Sequence, residues 1–558
     1  MIRVYEYGCL RPIAGEAEAM EQMRRRNRLW NALVEVETTH RQKAAELLSE
    51  PEEQAPVTQA LETLQDLRTA IKQKRQAARS TKVDVSELKT EIAATKVQLN
   101  GSIAIAKAKR KERVAERKSQ LTELNQQRVT AMKQATHAAE LYWCNYDDVL
   151  ASYDTARQRS RTGLRFHAFR GEGKVSIRYQ TGLPVEKVFG EDTRLQLRAL
   201  SEEEIRATGR KNPKARHEVA LRVGSLRRAP IWFRLPVVLH RPLPEDGIVR
   251  AAAIKREVVA GRPRYKLLIT VNDLVDVEPK AGERVCAIDV GWRLVPSDEK
   301  KPELRVAYWA DAEGQHGSLR LSHSVLWEFE RVRTLQSTID KKFEEIKAYL
   351  IDRVGHEELA VPTEELRQEL ATIAQWRSPG RLYGWARKAK EAGLADVELE
   401  NWRRKQMHLY QWAANLQDQV VKRRRYIYRN FAAQIAGHYD RIILEEFDLR
   451  RVAEHAQPEA KEEAVETRAA RYRQIASISE LRTTLENTAA REGTQIEKRE
   501  ARLTTQRCHV CGNTARWDAA ESVIHRCDLC QSVWDQDYNA AQNLLREFAD
   551  RPVLEAKA

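Results

Sequence analysis

Val285-Cys286-Ala287-Ile288-Asp289-Val290-Gly291 decides how this chain of 558 residues is read. An apolar strand ends on a lone carboxylate just before a glycine turn, and at period two Asp289 shares the face of Val285 and Ala287. An unpaired acid there costs stability, and a turn aspartate capping a hairpin is the ordinary explanation. Two further segments repeat the arrangement. Ile442-Ile443-Leu444-Glu445-Glu446 is again an apolar strand ending in carboxylate, and Asp535-Gln536-Asp537-Tyr538-Asn539-Ala540-Ala541 opens a helix, where Asp537 alone would pass as an N-cap. Carboxylates delivered by two strand ends and a helix start are what a two-metal phosphodiester site requires, with oxygen ligands bridging Mg2+ ions about 3.5–4 Å apart.

Immediately before that helix, Cys508-x-x-Cys511 and Cys527-x-x-Cys530 are separated by residues 512–526, the spacing of a four-thiolate zinc ribbon. Gly512 suits the first turn, where positive φ is useful. His509 and His525 lie beside the thiols and could substitute as ligands, but four cysteines fill a tetrahedral site, so both are expected to be bystanders or phosphate contacts. With no open coordination position the zinc is expected to be structural. Cys9, Cys144 and Cys286 read as buried thiols.

Further outward, 96 Lys+Arg against 81 Asp+Glu leave a net charge of +15, which points to a polyanionic partner. A charged fraction of 32% with a mean hydropathy of −0.63 excludes an apolar membrane protein, and no run of about 18 uncharged apolar residues offers a membrane-spanning helix. The first residues lack the pattern of a secretory signal, and seven cysteines are too few for a disulfide scaffold, so a reducing, cytoplasmic setting is expected.

Along the chain, residues 2–9 alternate as one short strand. Helical periodicity follows to about 160, with Asn100-Gly101 a natural break between two helices. From about 163 to 280 short alternating runs suggest a small barrel or sandwich. A strand at 283–290 and another at 304–310 precede mostly helical sequence from 325 to 440. Arg24-Arg25-Arg26, Lys107–Arg113 and Arg423-Arg424-Arg425 are basic clusters on these helices and candidate nucleic-acid contacts, although any one such run is usually a solvated face.

Asp289-Val290-Gly291, the strand-end Glu445, and Asp537-Tyr538-Asn539-Ala540-Ala541 directly behind a Cys-x-x-Cys ribbon resemble the split RuvC nuclease domain. This is the ribonuclease H-like domain of TnpB proteins and type V CRISPR effectors. The resemblance implies that Asp289, Glu445 and Asp537 hold catalytic Mg2+, with Glu446 and Asp535 the nearest rival assignments, and that the ribbon belongs to a target nucleic-acid-binding element. It extends over the whole chain and implies a multidomain α+β architecture. Residues 1–14 would be the first strand of a wedge domain, 15–160 a helical recognition lobe and 161–280 the wedge β-barrel domain. Residues 281–506 would form the RuvC domain with a helical insertion, 507–534 the inserted zinc ribbon and 535–558 the RuvC C-terminal helix.

Val4-Tyr5-Glu6-Tyr7-Gly8 and Asp289-Val290-Gly291-Trp292-Arg293 most resemble subtype V-M. That subtype implies an effector guided by one CRISPR RNA, and a full helical lobe in one chain favours a monomer. It would bind double-stranded DNA beside a short T-rich flanking motif, form an R-loop, and silence invading DNA by blocking transcription or replication with little or no cleavage. All three acidic positions are filled, so the residues alone leave open an RNA-guided endonuclease with a two-metal site. A guide-free transposition or recombination protein is a third class. Arg293, four residues after Asp289, could reach the acids as a competing cation, and processing of the guide precursor by this chain stays open.

Overall fold

Alternation at Ile2–Cys9 produces strand β1 as predicted. The computed structural model describes the chain except residues 1, 49–50, 78–85, 161–162, 191, 208–213, 274–276, 298–299, 357, 447–462, 501–503, 516–522 and 550–558. It divides into two units: 2–258 with 263–274, and 259–262 with 275–558.

In the first unit, Gly15 turns the chain from β1 into helix Glu16–Leu48 at φ +73°. A side chain there would meet the Trp232 carbonyl oxygen at 2.2 Å, so only glycine fits. Helices Pro51–Ala77, Ser86–Glu116, Lys118–Ala138 and Tyr146–Arg159 follow. The break expected at Asn100-Gly101 is absent, because the Ser86–Glu116 helix runs through it. One interior glycine costs about 1 kcal/mol relative to alanine, which 31 residues packed along the Pro51–Ala77 helix absorb.

Strands β2 (Gly173–Pro184), β3 (Leu195–Ala199), β4 (His217–Leu226), β5 (Ala229–Val238), β6 (Ile248–Val259) and β7 (Arg262–Asn272) join β1 in one sheet, in the order β2-β6-β7-β1-β5-β4-β3. The expected β-barrel is not formed. β2 and β3, consecutive in the chain, lie at opposite edges, so the sheet stays open among the described residues. Tyr7, Ile177, Leu197, Leu221, Phe233 and Leu267 are wholly buried on it, each worth about 1.5–3 kcal/mol of apolar transfer.

The second unit is built on β8 (Val285–Pro296), β9 (Pro302–Asp311), β10 (His316–Leu321), β11 (Arg441–Glu446) and β12 (Gln495–Glu500), ordered β10-β9-β8-β11-β12. The first three strands are antiparallel, and β11 runs parallel to both β8 and β12. Period two sorts the faces. Cys286, Ile288, Ile442 and Leu444 pack against the helices Val397–His438 and Ile478–Glu492, whereas Ala287 and Ile443 meet Leu544 of helix Gln536–Ala549. Helices His323–Gly355, Glu364–Ala371 and Pro379–Glu391 complete the helical part around buried Trp376 and Trp385. Helix Glu463–Ala476 follows residues outside the described set, and a small hairpin, β13 (Ile524–Arg526) with β14 (Val533–Asp535), leads into Gln536–Ala549. Cys144 and Cys286 are buried as expected and Cys9 half-buried. No helix among the described residues is long and apolar enough to cross a membrane.

Candidate functional site

The face that Ala287 and Ile443 turn to helix Gln536–Ala549 is also the face of Asp289 and Glu445, two residues further along each strand. The parallel register ends at Ile288↔Leu444, which sets the two carboxyls side by side at the strand ends. They hydrogen-bond to each other. Burial, then the nearby Asp537 and Glu445 carboxylates, lift Asp289 well above the ordinary carboxylate range, and burial lifts Glu445 as well.

Asp537 sits in the first turn of the crossing helix, but its partner is a residue that the sequence did not suggest. Arg305, in the middle of β9 and 3% exposed, sends Nη1 to Asp535 Oδ2 at 2.8 Å and Nη2 to Asp535 Oδ1 at 3.0 Å. The same Nη2 reaches Asp537 Oδ2 at 2.5 Å. Cross-strand pairing places Arg293 opposite Arg305, and the charges of both act on Asp537. Burial raises Asp537 above its usual range while the Arg305 and Arg293 charges oppose that. The N-cap is Asp535, not Asp537: Asp535 Oδ1 accepts the Asp537 N–H at 2.9 Å. The available signal for Arg305 was a lone cation inside the apolar run Leu304–Ala310, next to a strand ending in a lone acid.

The fit to divalent cations is therefore uneven. Asp289 and Glu445 have the oxygen chemistry that Mg2+ favours, whereas Asp537 is committed to Arg305. Among the described residues the only set of three or more acid, histidine or cysteine ligand atoms within 4.8 Å of one another is that of the four cysteines.

The cysteines do converge. Cys508 Sγ lies 3.7 Å from Cys530 Sγ, and Cys511 Sγ 3.5 Å from Cys527 Sγ. A tetrahedral ion with bonds of about 2.3 Å to sulfur requires edges of about 3.8 Å, so the four thiols can hold a metal such as zinc. The two turns are built alike. Gly512 N–H bonds to the Cys508 carbonyl at 2.8 Å with φ +77°, and Gln531 N–H to the Cys527 carbonyl at 2.9 Å with φ +61°. The Ser532 hydroxyl, 2.9 Å from Cys530 Sγ, holds that thiol below its ordinary value.

His509 and His525 are outside the thiol set. Asn539 Oδ1 lies 3.0 Å from His509 Nδ1 and accepts the His509 backbone N–H at 2.8 Å, while His525 Nε2 faces Gln536 Oε1 at 3.3 Å. Asn539 and Asn543, one turn apart and buried, both donate to the Thr504 and Arg507 carbonyls and pin the segment entering the ribbon to the helix. Sequence reasoning gave these asparagines no structural role; their i, i+4 spacing on an apolar helix face was the legible clue.

The basic candidates are mostly held by the protein itself. Arg24 and Arg25 pair with Glu21, and Arg26 with Asp148 at 2.5 Å. Arg424 is buried, donating to the Ile475 carbonyl at 2.7 Å and to Glu480 at 2.7 Å. Arg425 joins Glu480, and Arg423 pairs with Glu328.

A family model described as "Cas12f1-like, TNB domain" matches residues 479–544, which contain the four cysteines and Asp537. The chain is 38% identical over 556 residues to the CRISPR-associated DNA-binding protein Cas12m of Thermanaerosceptrum fracticalcis, covering 97% of this chain and 92% of that one. It is 33% identical over 566 residues to the protein of the same name from Allomeiothermus silvanus, covering 98% and 97% respectively. A solved cryo-EM structure of a Cas12f1-sgRNA-target DNA complex is 13% identical with a TM-score of 0.39, covering 98% of each chain, a likeness too loose for comparing residues.

Proposed function

The chain belongs to the Cas12m family of CRISPR-associated DNA-binding proteins, and from that premise we propose that it is a CRISPR RNA-guided effector that binds double-stranded DNA and blocks transcription or replication with little or no cleavage. The observation that carries this reading is identity of 38% sustained over 97% of the chain to a relative named for DNA binding. The net charge of +15 suits a channel that follows the A-form backbone of a guide–target heteroduplex while base pairing reads the sequence.

In this reading the sheet unit with its helices is the wedge and recognition part, beside which a short T-rich flanking motif is read and the R-loop opened. The β8–β12 unit is the RuvC part, with Asp289, Glu445 and Asp537 its acids and Mg2+ the cation they face. The four-cysteine ribbon carries structural Zn2+ within the target nucleic-acid-binding element. One protein copy acts with one guide RNA.

The test mixes guide-loaded protein with a matching supercoiled plasmid and Mg2+, and scores retardation and strand breakage on the same samples. Retarded, intact plasmid is expected. Nicked or linear product that disappears in Asp289→Ala makes the protein a nuclease and removes this reading.

A further inference from the structure

Arg305 is placed as few arginines are. It lies on an interior strand, its side chain is 4% exposed, and it holds three of the four carboxylate oxygens of Asp535 and Asp537. Its Nε is buried with no partner among the described residues, so the fork has given up one donor to keep this orientation. The guanidinium is planar and permanently charged, and it matches two carboxylates better than any other side chain does. It is also not alone. Arg293 stands opposite it across the strand pair and acts on Asp537, and Arg482 acts on Glu445. A second divalent ion at Asp537 would be left with Oδ1, the one oxygen of the two carboxylates that Arg305 does not hold, and would bring two further positive charges against the guanidinium.

We propose that Arg305 is the resident counter-ion of these acids: its guanidinium, forked across Asp535 and Asp537, takes the place of a second divalent cation and limits the site to one ion at the Asp289–Glu445 pair. The inference rests on the reading above in taking these acids as the cation-facing set, and it supplies a cause, within the chain, for weak cleavage. Arg305 is a positioning residue, since it acts through the ligand it withholds.

The experiment counts Mn2+ bound to full-length, zinc-replete protein without guide or DNA, by equilibrium binding and by electron paramagnetic resonance. The wild type is expected to take one ion in a manner lost in Asp289→Asn. Arg305→Met is expected to bind a second ion, with the spin-coupled spectrum that only two neighbouring ions produce. Adding Asp537→Asn should abolish the gain. A folded Arg305→Met with wild-type stoichiometry and spectrum overturns the proposal, as does a spin-coupled pair of ions in the wild type. Should Arg305→Met fail to fold, Arg305→Lys, which keeps one charge but cannot fork, decides: a second bound Mn2+ supports the proposal and its absence overturns it. Plasmid cleavage by the wild type would remove the non-cutting reading while leaving the Mn2+ count to judge Arg305 independently.

Discussion

Replacing Arg424 by methionine separates two roles that the Arg423-Arg424-Arg425 cluster could have. The guanidinium is buried, donating to the Ile475 carbonyl at 2.7 Å and to Glu480 Oε2 from Nη2 at 2.7 Å and Nε at 3.1 Å. Methionine keeps the packing of the stem and removes the charge. Breaking a buried pair costs about 3–5 kcal/mol. Glu480 would retain Arg425 at 2.5 Å, so its charge stays compensated and the low end applies, about 3 kcal/mol. At roughly 2 °C per kcal/mol for a unit of this size, the melting temperature of guide-free protein should fall by roughly 6 °C. Arg425→Met, which removes a half-exposed side chain, should move it by no more than about 1–2 °C. Scanning calorimetry reads both variants, and DNA affinity is measured on the guide-loaded proteins. An unchanged melting temperature for Arg424→Met together with a tenfold loss of DNA affinity would refute the clamp and return this residue to the nucleic-acid face.

Three other outcomes follow from the same geometry. Cys527→Ser should lose the bound metal by elemental analysis and open residues 504–544 to limited proteolysis, with the rest of the chain unchanged, since four thiols share one tetrahedron. Glu37→Gln should cost about 3 kcal/mol by denaturant titration, because it leaves the guanidiniums of Arg41 and Arg157 without their buried carboxylate. Burial opposes ionisation of Glu37, but Arg41, Tyr153 and Arg157 together hold it below the ordinary glutamate range. The stability it contributes is therefore complete above the unfolded value of about 4.3 and lost as pH falls through the lower folded value; a melting temperature that stays flat from pH 5 to pH 3 would count against this linkage. Asn539→Ala should loosen the first cysteine turn, read as faster amide exchange at His509, with a loss of about 1–3 kcal/mol from the His509 N–H left without its acceptor, while Asn543 keeps the Thr504 and Arg507 carbonyls bonded.

The strand-end acids and the cysteine turns were legible because each is a local pattern: a period-two run closed by a carboxylate, and paired thiols at fixed spacing. What a residue pairs with across the chain was not. Arg305 meets Asp535 over 230 positions and Arg26 meets Asp148 over 122, so a cation that reads as outward surface can hold a partner far away in the chain. The strands of the first unit were visible as alternation, but closure depends on which edges meet, and the separation of β2 from β3 to opposite edges leaves no trace in composition. Asn100-Gly101 misled for the converse reason: a local breaker was outweighed by the length of its helix.

β1 has one further consequence. It lies in the interior of its sheet, bonded to β7 on one side and β5 on the other, with Ile2 opposite Asn272 and Cys9 opposite both Tyr265 and Val237. During synthesis both neighbours arrive more than 200 residues later, and at about 5–20 residues per second that interval is roughly ten seconds to a minute. For that time the nascent chain carries a strand with both edges unsatisfied. The sheet therefore closes around its earliest strand, and the wait for β7 sets the earliest moment at which this unit can become native.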